Sequence, residues 1–196
     1  MIAVPCVIFA GGKSSRMGED KSGLPFGGYD SLLQYQYERL RTIFASVSVA
    51  TKRTKVLPFS CPVIEDAHSS EAVYAPTAGF VALFEALQEE RVFVLSVDAP
   101  FVSRDEIGTL LAHDHEHYDA TIARTIGGMH PMCGIYHRSL QGTFQTMFRA
   151  GEHRLGAMLQ RVRTCFVDFE QEAAFANLNY PHEYENALQR VCQEKA

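Results

Sequence analysis

Short apolar runs alternate with longer amphipathic stretches along this chain. The first run, dense in β-branched residues at Val4, Val7 and Ile8, predicts a buried strand that ends abruptly at Gly11-Gly12. A polar stretch carrying Lys13, Arg16 and Lys21 follows it. Ser31 precedes Leu32-Leu33, and Leu40, Ile43 and Phe44 recur at helical spacing, so a capped helix is expected to run to about Phe44. Val47 to Ala50 reads as a second strand and Pro62 to Asp66 as a third, closing on a carboxylate. A loop then reaches Pro76-Thr77-Ala78-Gly79, after which Phe80, Leu83, Phe84 and Leu87 form the apolar stripe of a helix. Arg91 to Val97 is a continuous apolar run, expected of a central strand buried on both faces, and it ends at Asp98-Ala99-Pro100.

Ser103 with Glu106 forms a capping box that opens the next helix, which fades into His113-Asp114-His115-Glu116-His117. His113 and His117 could share a metal only if the helix continued through them, and a solvated helix end is the simpler reading. Ala120 to Arg124, a Gly127-Gly128 turn and Met132 to Tyr136 suggest a hairpin, which makes the sheet mixed. Two short helices parted at Gly151, a strand from Cys165 to Phe169 and a last helix starting at Pro181 complete the chain. Strands alternating with helices at this rhythm specify a three-layer α/β/α sandwich around a Rossmann-like, mostly parallel but mixed sheet. Ligands of such sheets bind beyond the carboxyl ends of the strands, where Gly11-Gly12, Asp66 and Asp98 would lie.

The 196 residues, 46% of them apolar, contain no linker-like stretch, so residues 1–196 are read as a single domain. No basic leader precedes the first strand and no apolar run approaches the roughly 20 residues of a membrane span. A soluble, cytoplasmic protein without a membrane partner is expected. The five cysteines are scattered without a C-x-x-C pair and read as reduced thiols. A net charge of −5 argues against a nucleic-acid surface, so an anionic ligand would need local basic residues and a metal ion.

The glycine-rich loop supplies such residues, and successive N–H groups in a turn of this kind can cradle a phosphate. It is not a P-loop, because Val7 stands where the first glycine would be. Nor is it the dinucleotide fingerprint, which needs spaced glycines opening a helix. The remaining pattern, A-G-G-K-S-x-R-M-G-x-D-K from Ala10 to Lys21, resembles the molybdenum cofactor guanylyltransferases of the nucleotidyltransferase superfamily. The resemblance extends to Val63-Ile64-Glu65-Asp66, whose counterpart aspartate contacts the guanine nucleotide, and to Val97-Asp98-Ala99-Pro100, similar to the family's D-x-P metal site. It continues in His130-Pro131 on the acceptor side, in Ala150 to Arg154 and in Phe175 to Pro181, which looks like the family's F-x-N-x-N-x-P.

The resemblance implies the fold of the nucleotide-diphospho-sugar transferases and Mg²⁺-dependent transfer of GMP from GTP to the phosphate of molybdopterin. Asp98 would hold the metal, while Arg16 and Lys21 would bind the triphosphate and stabilise the departing pyrophosphate. Phe9, Ala10, Gly11, Gly12, Lys21, Asp66, Pro76, Gly79, Asp98, Asn177 and Asn179 would bind the nucleotide, with Gly12 and the Pro76 segment forming one wall of the base pocket. Transient contact with molybdoenzymes is a further implication. The chain departs from the family at Ala50, where an asparagine often contacts the nucleotide, and at Ala75, where G-P-L-A-G has its first glycine. The rival readings are a cytidylyltransferase acting on the same cofactor and a catalytically silent nucleotide-binding relative that docks a molybdoenzyme. Gly12 and the Pro-x-Ala-Gly of Pro76 to Gly79 favour guanine over cytosine.

Overall fold

The computed structural model describes residues 1–11, 20–52, 57–66 and 75–194. Its centre is a seven-stranded sheet built from β1 (Cys6–Phe9), β2 (Val47–Lys52), β3 (Val63–Asp66), β4 (Arg91–Ser96), β5 (Ala120–Thr125), β6 (Gly128–His137) and β7 (Thr164–Asp168). The order is β3-β2-β1-β4-β6-β5-β7, and only β6 runs antiparallel to its neighbours. The expected hairpin is therefore present, as β5 and β6. β1 and β4, parallel neighbours buried on both faces, read as continuous apolar runs for that reason.

Helices α1 (Leu32–Leu40), α3 (Arg104–His113) and α6 (Pro181–Glu194) cover one face, burying Leu32, Ile107 and Val191 against Ile8, Val49 and Leu95. Helices α2 (Pro76–Ala86), α4 (Gln141–Arg149) and α5 (Leu155–Leu159) cover the other, where Phe80 stacks on Phe144 with ring centroids 4.2 Å apart. Ser31 caps α1 by accepting from Gln34 N, and the Ser103–Glu106 capping box opens α3. The sandwich thus has three layers. No helix among the described residues is long and apolar enough to cross a membrane.

Two expectations need correction, and a third, the end of the helix that Ser103 opens, agrees with the structure. Helix α1 ends at Leu40 rather than near Phe44; Ile43 and Phe44 stay buried, but in a turn closed by their N–H groups on the carbonyl of Leu40. Pro76 to Gly79 is not loop but the first turn of α2, with proline at its N-terminus, where the missing N–H costs nothing. Helix α3 stops at His113, whose Nδ1 contacts the Thr109 carbonyl, so His113 and His117 do not share a helical turn.

Candidate active site

From β1 the chain runs outward through β2 to β3, while the other strands lie on the far side of β1, so β1 and β4 flank the topological switch point. Phe9 is in register with Ser96, and continuing that register sets Gly11 opposite Asp98. Two cavities open there. The larger, of about 460 Å³, is lined by Phe9, Gly11, Asp66, Pro76 and Gly79 together with Ala50, Thr51 and Lys52. The smaller, of about 190 Å³, is lined by Asp98, His130, Pro131, Phe175 and Asn177. Ser96 and Met132 belong to both walls, so the cavities adjoin.

In the wall of the smaller cavity Asp98 forms an ion pair through Oδ2 with the Lys21 ammonium, both side chains being about 15% exposed or less. Lys21 Nζ also donates to the carbonyl of Leu178 at 3.1 Å and to Asn179 Oδ1 at 3.2 Å. The Phe175–Pro181 segment is docked by the N–H of Leu178 on the carbonyl of Asp98, 2.9 Å, and anchored below by Glu183, which accepts from the N–H groups of Asn179 and Tyr180. Residues 77 and 158 positions apart in sequence thereby converge on one ammonium.

The predicted residues divide between the two cavities. Phe9, Gly11, Asp66, Pro76 and Gly79 gather in the larger; Asp98 and Asn177 line the smaller, and Lys21 meets both Asp98 and Asn179. Ala10 points its methyl into the core under α1, so a ligand would meet its main chain only. Gly11 does not have a positive φ, and a Cβ there would meet nothing within 4 Å among the described residues. Gly79 is a matter of packing, because a Cβ would stand 2.6 Å from Phe9 Cε1. Arg16 and Gly12 lie outside the described residues.

Sequence reasoning missed Ser96, Met132, Thr51 and Lys52. The signal for the last two was their position at the end of a strand next to a phosphate loop. Lys52 pairs in register with Asp66, and Thr51 Oγ1 is buried with no hydrogen-bond partner among the described residues. Met132 arrives by a bulge. Between Ile122 and Arg124 β5 advances two residues while its β6 partners, Gly134 and Met129, are five apart, leaving three extra residues on β6. The bulge lifts His130, Pro131 and Met132 beside the end of β4, and the buried Tyr136 hydroxyl donates to the Pro131 carbonyl to hold it. Burial holds the His130 imidazole below its ordinary pKa, partly offset by Glu172, and Thr125 Oγ1 lies within hydrogen-bonding distance of both. Burial likewise pushes the Cys133 thiol up to about 12, so the one cysteine in the smaller cavity is not a nucleophile.

The site therefore offers two adjoining cavities and, in the wall of the smaller, a carboxylate paired with an ammonium. A transfer between two bound substrates is the chemistry that suits it.

Residues 6–165 match the MobA-like NTP transferase domain. The chain is 40% identical over 180 residues to a molybdenum cofactor guanylyltransferase of Campylobacter jejuni, covering 92% of this chain and 93% of that one. It is 30% identical over 191 residues to the enzyme of the same name from Helicobacter pylori, covering 95% and 92%. In fold it resembles the molybdopterin-guanine dinucleotide biosynthesis protein A of Archaeoglobus fulgidus, with TM-score 0.82 and 17% identity over 97% of this chain and all of that one. The chain belongs to the MobA-like NTP transferase family and is a nucleotidyltransferase related to the molybdenum cofactor guanylyltransferases.

Proposed function

We propose that residues 1–196 act as one nucleotidyltransferase domain that transfers GMP from GTP to the terminal phosphate of molybdopterin, releasing pyrophosphate. The observation that carries this reading is the pair of adjoining cavities at the switch point, with Asp98 in the wall of the smaller one and paired to Lys21. The larger cavity suits the nucleoside: apolar surface from Phe9 and Pro76 faces a ring, and the Asp66 carboxylate, an acceptor only, suits the adjacent N1–H and N2–H donors of guanine. Cytosine has no such pair of donors. The smaller cavity would take the acceptor.

The donor set of Asp98 fits Mg²⁺. This single carboxylate already holds a cation, the Lys21 ammonium, and Mg²⁺ that also binds substrate phosphates commonly uses one or two protein carboxylates. When bound, the metal would neutralise charge on the triphosphate and favour loss of pyrophosphate. Lys21, released from Asp98, would move its charge onto the phosphates, and Arg16 would add a second fixed cation. The acceptor phosphate oxygen attacks the α-phosphorus, the bond to the bridging oxygen breaks, and pyrophosphate leaves with the electron pair; no side chain need be acylated or phosphorylated on the way. Handing the product to a molybdoenzyme implies a transient protein contact.

Thermal-shift titration with GTP, CTP and ATP in the presence of Mg²⁺ tests the nucleotide assignment. GTP at a hundred times its dissociation constant should add about 2.7 kcal/mol of stability. Equal stabilisation by CTP would favour the cytidylyl reading, and no stabilisation by any triphosphate would overturn the nucleotide assignment; a silent nucleotide-binding relative would be stabilised by GTP yet release no pyrophosphate.

A further inference from the structure

Asp98 rides on the turn that follows β4, and two side chains of α1 hold that turn from beneath. Gln36 is fully buried. Its Nε2 donates to the carbonyls of Val97, 3.3 Å, and Ala99, 3.0 Å, the residues immediately before and after Asp98. Its Oε1 accepts from Arg39 Nε at 3.2 Å and Nη2 at 2.6 Å, and Arg39 Nη1 donates to the carbonyl of Val102 farther along the turn. Both donors and both acceptor positions of the amide are therefore in use. From other directions Val97 N donates to the Phe9 carbonyl, 3.0 Å, Ala99 N to that of Ser96, 3.2 Å, and Leu178 N to that of Asp98, 2.9 Å. Little but side-chain torsion is left to Asp98.

A glutamine at this position is an expensive choice for a helix stripe. Leu32, Leu33 and Leu40 fill the neighbouring buried positions of α1, and an apolar residue at 36 would continue the stripe without burying an amide. It would also leave the two carbonyls flanking Asp98 without this donor.

We propose that Gln36, oriented by Arg39, is a positioning residue for the metal-binding carboxylate, fixing the peptides on both sides of Asp98 so that the side chain presents one geometry to the cation. This rests on the reading of Asp98 as the metal ligand. Such outer partners commonly set metal affinity by ten- to a hundredfold without touching the metal.

Gln36→Glu separates this role from simple packing. The new carboxylate keeps the volume and gains a charge-assisted bond to Arg39, while it can no longer donate to Val97 and Ala99. Gln36→Met, apolar and similar in size, is the second variant should burying a carboxylate impair folding. Mn²⁺ binding to the protein with GTP and no acceptor is followed by electron paramagnetic resonance, alongside GTP affinity without metal and Tm. Asp114→Asn, remote from the cavities, controls for lost stability alone. Both Gln36 variants should raise the Mn²⁺ dissociation constant about tenfold and change metal-free GTP affinity less than twofold, while Asp114→Asn lowers Tm and leaves Mn²⁺ binding at the wild-type value. Unchanged Mn²⁺ affinity in a folded Gln36 variant, with Asp98→Ala abolishing binding, overturns the positioning role alone. Wild-type Mn²⁺ affinity in Asp98→Ala overturns the metal assignment and this inference with it.

Discussion

Replacing Gly79 by alanine inserts one methyl between α2 and β1, and the structure says where the strain goes. The new Cβ would stand 2.6 Å from Phe9 Cε1 and 3.3 Å from Cδ1, too close for either to stay. Phe9 cannot retreat toward α2, because its ring rests on Phe80 with centroids 5.0 Å apart, and Phe80 is itself fully buried. The open side is the larger cavity, whose wall Phe9 forms. Alanine in place of glycine inside a helix gains about 1 kcal/mol, whereas overpacking costs about 1–3 kcal/mol. The net loss should be about 0–2 kcal/mol, a fall in Tm of about 0–8 °C at about 2–4 °C per kcal/mol for a chain of this size. The larger effect should be on ligand. A ring pushed into the cavity proposed for the base should weaken GTP about tenfold, or about 1.4 kcal/mol. Isothermal titration calorimetry with GTP, read beside a thermal melt, measures both. Full GTP affinity in a variant with raised Tm would refute the reasoning, because the methyl would then have been absorbed without moving the cavity wall.

Other outcomes are expected away from that contact. Asp114, with its side chain fully buried, accepts from Arg91 at 2.7 Å and Thr121 at 2.8 Å and meets His137 at 2.9 Å; burial pushes its carboxyl up, but these bonds outweigh burial and hold it below its ordinary 3.8. Asp114→Ala should cost about 3 kcal/mol in urea denaturation, the low end for a broken buried pair because the Arg91 it strands is half-exposed. A loss below 1 kcal/mol would contradict that. Because the folded pKa is depressed, the stabilisation from this group is fully present above the unfolded value and is lost as pH falls through the folded one; urea midpoints should drop steeply below pH 3.8 in wild type and less so in Asp114→Asn. Tyr136→Phe removes the donor to the Pro131 carbonyl, should cost about 1 kcal/mol, and should raise KM for the acceptor more than for GTP; equal changes in both would count against the bulge as part of the acceptor site.

The parts of the fold visible beforehand were those with a local cause. The apolar run of β4, the Ser31 cap and the Ser103–Glu106 box depend on residues a few positions apart, and all three are present. The start of α2 was hidden because Pro76 and Gly79 both read as loop residues, when one is a helix opener and the other makes room for Phe9, far earlier in the chain. The bulge on β6 has no periodicity to betray it; its cause is tertiary, in the Tyr136 hydroxyl and the end of β4. Lys21 and Asp98 were each nameable by resemblance, yet their direct pairing depends on how the Asn177–Asn179 segment closes over them. Gln36 left one trace, a polar residue at a position where the helix period calls for an apolar one.

The central claim is that this protein joins guanylate to molybdopterin. The direct measurement is product formation from purified molybdopterin, Mg²⁺ and either GTP or CTP, with pyrophosphate release and the dinucleotide quantified together. The account predicts molybdopterin guanine dinucleotide and stoichiometric pyrophosphate from GTP, little product from CTP, and none from the Asp98→Ala variant in its folded form. Equal use of CTP, or turnover by Asp98→Ala at the wild-type rate, would contradict it.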